Sequence, residues 1–206
     1  MLYDSAGLTA PTPHNSTERA SASMPLHKVR RIVTGHMPDG ETTVIFDNTA
    51  TEVLEVAGWP GAGVTELWST DECPADLDQT HDRVRPMRHD PTPQGSLFRV
   101  VEIPPETGLA VDTDAAFEAM GTAHRPDAAA KSRHASMHRT DSVDYIVVIF
   151  GQMTMLMTDG TEVLLTPGDC VVQQGTTHAW VNRGSEPCVI AAVLIDGRRP
   201  AVLAQT

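Results

Sequence analysis

The second half of the chain is divided into short runs of apolar and β-branched residues by turns that contain glycine. The turns are marked by Gly151, Asp159-Gly160, Pro167-Gly168-Asp169, Gly175 and Gly184. The runs are Ala135–Thr140, Tyr145–Phe150, Met153–Thr158, Val163–Leu165, Cys170–Gln174, His178–Asn182 and Cys188–Ile195. Short strands at this spacing, joined by hairpin turns, are typical of all-β folds. The sequence therefore predicts an antiparallel β-barrel or jelly roll.

The first half also carries strand signals, but they are less regular. Residues 1–23 are rich in Ser, Thr, Ala and Pro without any periodicity, which predicts a disordered tail. Strands are predicted at Val29–Thr34, Thr42–Phe46, Val64–Trp68 and Ser96–Ile103. Residues 70–96 are polar and rich in proline, which indicates a long surface loop. A short helix is predicted at Asp114–Met120, with Asp112 or Thr113 as its cap.

Three residues with side chains that can bind a metal lie in the barrel region: His138, Asp144 and His178. Side chains two residues apart on a strand share a face, so His138 and Thr140 point the same way. Asp144 joins them if the strand register does not slip, and His178 forms a second row with Trp180. In a small closed barrel the inward rows of neighbouring strands meet across a narrow cavity. The pattern predicts that these side chains converge inside the barrel.

The same two segments resemble the signature motifs of the cupin superfamily. The first motif is His-x-His followed by Glu and then Gly, and the second contains Gly, Pro-x-Gly, His and Asn. The matching residues are His138, Thr140, Asp144 and Gly151 in the first motif, and Gly175, His178 and Asn182 in the second. The resemblance implies a single cupin domain over residues 24–206. It places the jelly-roll barrel at residues 96–197 and additional N-terminal strands at residues 24–95.

The first motif departs from the family because Thr140 replaces its second His and Asp144 replaces its Glu. The resemblance implies a divalent metal on His138, Asp144 and His178, a two-His-one-carboxylate set that suits Fe, Zn, Mn or Ni. Thr140 could bind such a metal only weakly or through a water, and His134 is an alternative substitute for the missing His. A site without metal is also consistent with these residues. They would then act as a general base, or serve only as hydrogen-bonded interior groups.

Other residues of these strands are candidate substrate contacts. Trp180 shares the face of His178 and is placed to stack on a flat substrate. Thr140 lies in the first row. Gln173 and Gln174 are polar in an otherwise apolar run, and parity favours Gln174 as the residue that orients a substrate. The histidines of the loops are expected to be solvated: His36, His81 and His89.

The charge of the chain restricts its partners. A formal net charge of -12 argues against a nucleic acid or an anionic membrane surface, since either calls for a basic patch. No apolar run is long enough to span a bilayer, and the first residues lack the pattern of a signal peptide. These features predict a cytoplasmic protein with a small-molecule substrate. Exposed edges of the N-terminal strands predict a homodimer.

Three classes of function are compatible with the sequence. The first is an enzyme of lyase or isomerase type, which would dehydrate, decarboxylate or cyclise an enolisable carbonyl compound or organic acid of secondary metabolism. The second is an oxygen-dependent non-haem iron oxygenase that uses His138, Asp144 and His178 as ligands. The third is a cupin that binds a small molecule without catalysis.

Overall fold

The computed structural model describes residues 26–83, 85–106 and 110–203, so the tail predicted for residues 1–23 lies outside the described residues. The strands are β1 (Arg30–His36), β2 (Thr42–Thr49), β3 (Glu52–Glu55), β4 (Gly63–Thr70), β5 (Ser96–Ile103), β6 (Ser142–Phe150), β7 (Met153–Met157), β8 (Glu162–Leu165), β9 (Cys170–Gln174), β10 (His178–Val181) and β11 (Cys188–Asp196). The helices are α1 (Thr113–Ala119) and α2 (Ala128–Arg133), and a 3₁₀ turn follows at Ala201–Leu203.

The strands form two sheets that enclose the core and a separate hairpin. One sheet has six strands in the order β3-β4-β5-β11-β6-β9, and the other has three in the order β10-β7-β8. Every pairing is antiparallel. The predicted all-β antiparallel jelly roll is therefore confirmed. Of the N-terminal strands, β3 and β4 extend the large sheet as expected, whereas β1 and β2 pair only with each other.

Strict alternation along β6 separates the barrel interior from its outer surface. Asp144, Ile146 and Val148 are buried, whereas Tyr145 and Val147 between them are exposed. The buried apolar residues of this strand join a core to which both sheets contribute. That core consists of Leu97, Ile103, Ile146, Val148, Met153, Leu165, Cys188, Ile190, Ala192 and Leu194. Burial of these side chains is what holds the two sheets face to face.

The prediction of a strand at Ala135–Thr140 is wrong. Helix α2 lies just before this segment, and its first turn is capped by Asp127 through a hydrogen bond from the Ala130 amide at 2.8 Å. After α2 the segment makes only isolated bridges, of which one joins His138 to His178. The inward parity of His138 and Thr140 nevertheless holds, because the segment is extended where it contacts β10.

Helix α1 lies against the barrel opening and depends on a defined cap. It begins after Asp112, whose side chain accepts a hydrogen bond from the Ala115 amide at 3.0 Å. The buried residues Ala116 and Phe117 of this helix face the interior cavity. The sequence therefore located both the helix and one of its two candidate caps correctly.

Replacing Asp112 by alanine should lower the free energy of unfolding by about 1 kcal/mol, because the first turn of α1 loses its side-chain acceptor. Urea unfolding followed by circular dichroism measures the change. Asp114→Ala is the matched control, since Asp114 lies in the same first turn but does not cap it. Equal losses for the two variants would show that the cap contributes nothing specific.

In the part of the chain that the structure describes, no helix has the length and apolar character needed to cross a membrane.

Candidate functional site

The barrel encloses a cavity of about 130 Å³ that is lined mainly by apolar side chains. Its walls come from β4, β5, β6, β10 and β11, from helix α1, and from the loop between β4 and β5. The polar side chains that reach it include His89, Arg99, His138, Asp144 and His178. A few polar groups in an apolar hollow are what a small-molecule site requires.

His138 and His178 are held side by side by the backbone. The amide of each residue donates to the carbonyl of the other at 2.9 Å, and the two ring centroids are 4.6 Å apart. Nδ1 of His138 lies 2.9 Å from the Ser136 carbonyl, and Nδ1 of His178 lies 2.8 Å from the Thr176 carbonyl. A carbonyl only accepts, so Nδ1 carries the hydrogen in both rings. Nε2 of each neutral ring is therefore left with a lone pair.

A third imidazole enters the site from the loop between β4 and β5. The ring of His89 stacks on that of His138 with 4.4 Å between centroids, and its Nδ1 lies 2.9 Å from Thr122 Oγ1. The expectation that His89 is solvated is therefore wrong. The loop turns back into the barrel opening, where the His89 amide donates to the Met120 carbonyl at the end of α1. No periodic pattern in the loop indicated this.

Burial controls the ionisation of all three rings. Burial, together with the nearby His138, lowers the pKa of His178 to about 3, although the hydrogen bond to Thr176 opposes this. Burial also lowers the pKa of His138, although the hydrogen bond to Ser136 opposes this, and lowers the pKa of His89 well below its ordinary value. The three imidazoles are consequently neutral at neutral pH.

Asp144 is the carboxyl group of the cavity, and its side chain is almost fully buried, with 5% of its surface exposed. Ser142 Oγ donates to one carboxyl oxygen at 2.5 Å, while Thr140 Oγ1 lies at 3.5 Å from the other. Burial raises the pKa of Asp144 to about 6, against the lowering effect of the Ser142 and Thr140 hydroxyls and of the Arg99 charge. Asp144 is thus a stronger base than an exposed carboxylate and still ionises near neutral pH.

The predicted metal ligands His138, Asp144 and His178 line one cavity. Within residues 26–83, 85–106 and 110–203, no group of three or more His, Cys, Asp and Glu side chains is placed to hold a metal ion. The lone pairs on Nε2 of His138 and His178 suit a divalent cation, whereas the Asp144 carboxyl is engaged by Ser142. The metal stays a prediction.

Of the three candidate substrate contacts, two line the cavity and one is exposed outside it. Thr140 and Trp180 line the cavity, and Trp180 packs edge-on against His178 with 4.9 Å between centroids. Gln174 is exposed, so the choice of Gln174 over Gln173 was wrong. In the register of β6 and β9, Gln173 pairs with Asp144 and takes the inward face, which leaves Gln174 outside.

His134 does not replace the missing histidine of the motif. Its Nδ1 lies 2.8 Å from Ser136 Oγ, and its Nε2 lies 2.7 Å from Glu106. Both ring nitrogens are therefore occupied, in a smaller hollow beside the main cavity. His89 is the additional imidazole that the fold supplies instead.

Arg99 is a second cavity residue that sequence reasoning missed. It lies on β5 between Leu97 and Val101, at the parity of the inward-facing apolar residues, and only 2% of its surface is exposed. A signal was present, because an arginine among inward-facing apolar residues of a predicted barrel strand indicates a functional or strongly paired position.

Comparison with known proteins identifies a family and several relatives. A family model described as "Cupin domain" matches residues 121–195. The cupin-domain-containing oxidoreductase fogC of Aspergillus ruber is 27% identical over 179 residues, which is 83% of this chain and 74% of that protein. Phomopsin biosynthesis cluster protein C' of Diaporthe leptostromiformis is 47% identical over 47 residues, 23% of this chain and 25% of that protein.

Among solved structures, the polyketide cyclase RemF from Streptomyces resistomycificus is similar to this chain. The TM-score is 0.39 at 15% sequence identity, and the alignment covers 71% of this chain and 73% of that one.

Proposed function

We propose that this chain, which matches a cupin domain over residues 121–195, is an enzyme of secondary metabolism of lyase or isomerase type. Its substrate is a small, mainly apolar carbonyl compound that enters the barrel cavity. In the reaction a proton is removed from the carbon next to the carbonyl group. Asp144 takes the proton, and His138 and His178 orient the substrate through Nε2.

The observation that carries the proposal is the convergence of one carboxyl group and three imidazoles in an apolar cavity. Buried ionisable side chains are costly to keep, and their accumulation around one hollow indicates a functional site. The apolar walls exclude water from a carbanion or enolate that forms there. They also fit a substrate with little polar surface.

The pKa values decide which group is the base. Burial raises the pKa of Asp144 to about 6, whereas burial lowers that of His178 to about 3. The carboxylate is therefore the stronger base of the two, although imidazole is ordinarily the stronger. The neutral rings of His138 and His178 can accept a hydrogen bond at Nε2. They suit a hydroxyl or enol group of the substrate.

One relative supports a role in secondary metabolism, and a second bears on the type of reaction. The name of phomopsin biosynthesis cluster protein C' refers to a biosynthetic cluster. Its similarity to this chain is strong over a short segment. The relative fogC matches most of this chain and is named an oxidoreductase. That name favours the second candidate, an oxygen-dependent iron enzyme with a metal on His138, His178 and Asp144. A cupin that only binds its ligand is the third candidate.

A proton-exchange experiment tests the proposal. Acetophenone is a small apolar ketone with exchangeable methyl protons, and ¹H NMR in D₂O measures their replacement by deuterium. We expect the protein to accelerate the exchange, and Asp144→Asn to reduce the acceleration by roughly a hundredfold or more, as for loss of a general base. Asp47→Asn is the control, since Asp47 is on β2 in an exposed ion pair with Arg30.

The alternatives give different results in the same preparation. Tightly bound iron together with oxygen consumption would favour the oxidoreductase. If acetophenone binds but exchanges no faster than in buffer, the chain is a binder. An acceleration that survives Asp144→Asn would remove Asp144 from its role as base.

A further inference from the structure

Arg99 places a permanent positive charge inside the barrel. Its side chain lines the cavity that also contains Asp144, and it is nearly inaccessible from outside the protein. A guanidinium does not lose its proton in a protein, so burial cannot be relieved by neutralisation. Such a group is stable in an interior only when acceptors occupy its N–H donors.

The acceptors around Arg99 are too few. A guanidinium has five N–H donors. Nη2 donates to Glu66 Oε2 at 3.0 Å and to the Arg88 carbonyl at 2.8 Å. Nε is buried without any partner in the described part of the chain. The Nε–H donor is therefore open.

The nearby carboxylates do not occupy this donor. Glu66 is shared, because its other oxygen accepts from Arg85 at 3.0 Å. Two guanidinium groups thus divide one carboxylate in a region where all three side chains are largely buried. Asp144 interacts with Arg99 electrostatically but makes no hydrogen bond with it within the described ranges. The Nε–H of Arg99 is therefore left for an acceptor that a ligand supplies.

From this open donor on a permanently charged group that lines the cavity, we infer that Arg99 binds an anionic oxygen group, a carboxylate, of a ligand held in the barrel cavity. The inference rests on the proposed function for the location of the site, and it adds the chemical class of the substrate. The cavity of about 130 Å³ is similar in size to engineered cavities that hold benzene. The ligand class is therefore a small carboxylic acid with an apolar or aromatic body.

A matched pair of probes tests this. Benzoate and benzamide have almost the same shape, but only benzoate is an anion near neutral pH. In isothermal titration calorimetry we expect benzoate to bind roughly tenfold or more tightly than benzamide, the size of a charged hydrogen bond. Arg99→Met should abolish the preference. Arg30→Met is the control, because Arg30 is exposed and paired with Asp47 on the separate hairpin.

A measurement on the unaltered protein covers the case in which Arg99→Met does not fold. Benzoate should shift the NMR signal of the Arg99 Nε–H downfield, and benzamide should leave it unchanged, with Arg99→Lys used to assign the signal. Equal affinity for the two probes would overturn the inference. So would a folded Arg99→Met variant that still prefers benzoate, or an Nε–H signal that does not respond to benzoate.

The proposed function can fail separately. Asp144→Asn should keep the preference for benzoate while it abolishes proton exchange on acetophenone. If the exchange is absent but the preference depends on Arg99, the cavity is an anion-binding site without the proposed reaction. If the exchange depends on Asp144 but the two probes bind equally, the reaction stands and the role of Arg99 is wrong.

Discussion

The free energy of unfolding of Asp144→Asn should exceed that of the unaltered protein by up to about 3 kcal/mol near pH 8. Near pH 3 the two proteins should be almost equally stable. The reason is that burial raises the pKa of Asp144 from 3.8 to about 6. Below 3.8 the carboxyl is protonated in both the folded and the unfolded state. Between pH 3.8 and about 6 the carboxyl ionises in the unfolded state but stays protonated in the folded state, so the folded state loses stability over this range and the full cost remains above it. Asparagine removes that cost.

Urea unfolding at several pH values measures the difference. Asp141→Asn is the matched control of opposite sign. Burial raises the pKa of Asp141, but hydrogen bonds from Arg199 and Arg139 outweigh it and lower the pKa below its usual value. Asp141 therefore contributes stability above its unfolded pKa, and its replacement should destabilise the protein at high pH. A difference for Asp144→Asn that does not change with pH would show that Asp144 is not a buried, strained carboxylate.

Gly151→Ala should lower the free energy of unfolding by roughly 3 kcal/mol or more, the sum of a strained backbone and an overpacked contact. Gly151 makes the turn between β6 and β7 with φ of 72°. A Cβ at this position would lie 2.4 Å from the Pro187 carbonyl oxygen and 3.0 Å from Cys188 Cα. Both atoms belong to the backbone that leads into β11, so they cannot move aside as a side chain can.

Gly160→Ala separates the two causes of this loss. Gly160 also has a positive φ, of 94°, but a Cβ there would meet nothing within 4 Å. Its replacement should cost about 1 kcal/mol, which is the backbone strain alone. Chemical denaturation of both variants gives the comparison. Equal losses would mean that the contact with Pro187 relaxes without cost.

The alternation of residue types was sufficient to predict the barrel. Turn residues such as Gly151 and Gly160 punctuate the strands, and Ile146 and Val148 face the core as their parity requires. The segment around His138 was assigned the wrong type, because the sequence does not show that it contacts only one residue of β10. Its inward direction was still right, since parity depends on the local backbone and not on a full partner strand.

Gln173 and Gln174 show the limit of the same reasoning. A single alternating strand has two faces, and only its pairing with a neighbour decides which one points inward. The register of β9 on β6 places Gln173 opposite Asp144. That register is a long-range contact, so parity within β9 could not provide it.

The sequence by itself determined the antiparallel barrel and the inward positions of His138, Asp144 and His178, because turn chemistry and alternation act over a few neighbouring residues. Only the tertiary structure decided what surrounds them. The loop between β4 and β5 brings His89 onto His138, and β5 brings Arg99 into the cavity of Asp144, where its Nε has no acceptor within the described ranges. Such contacts join residues far apart in the chain, and they are selected by packing and charge after the strands have formed.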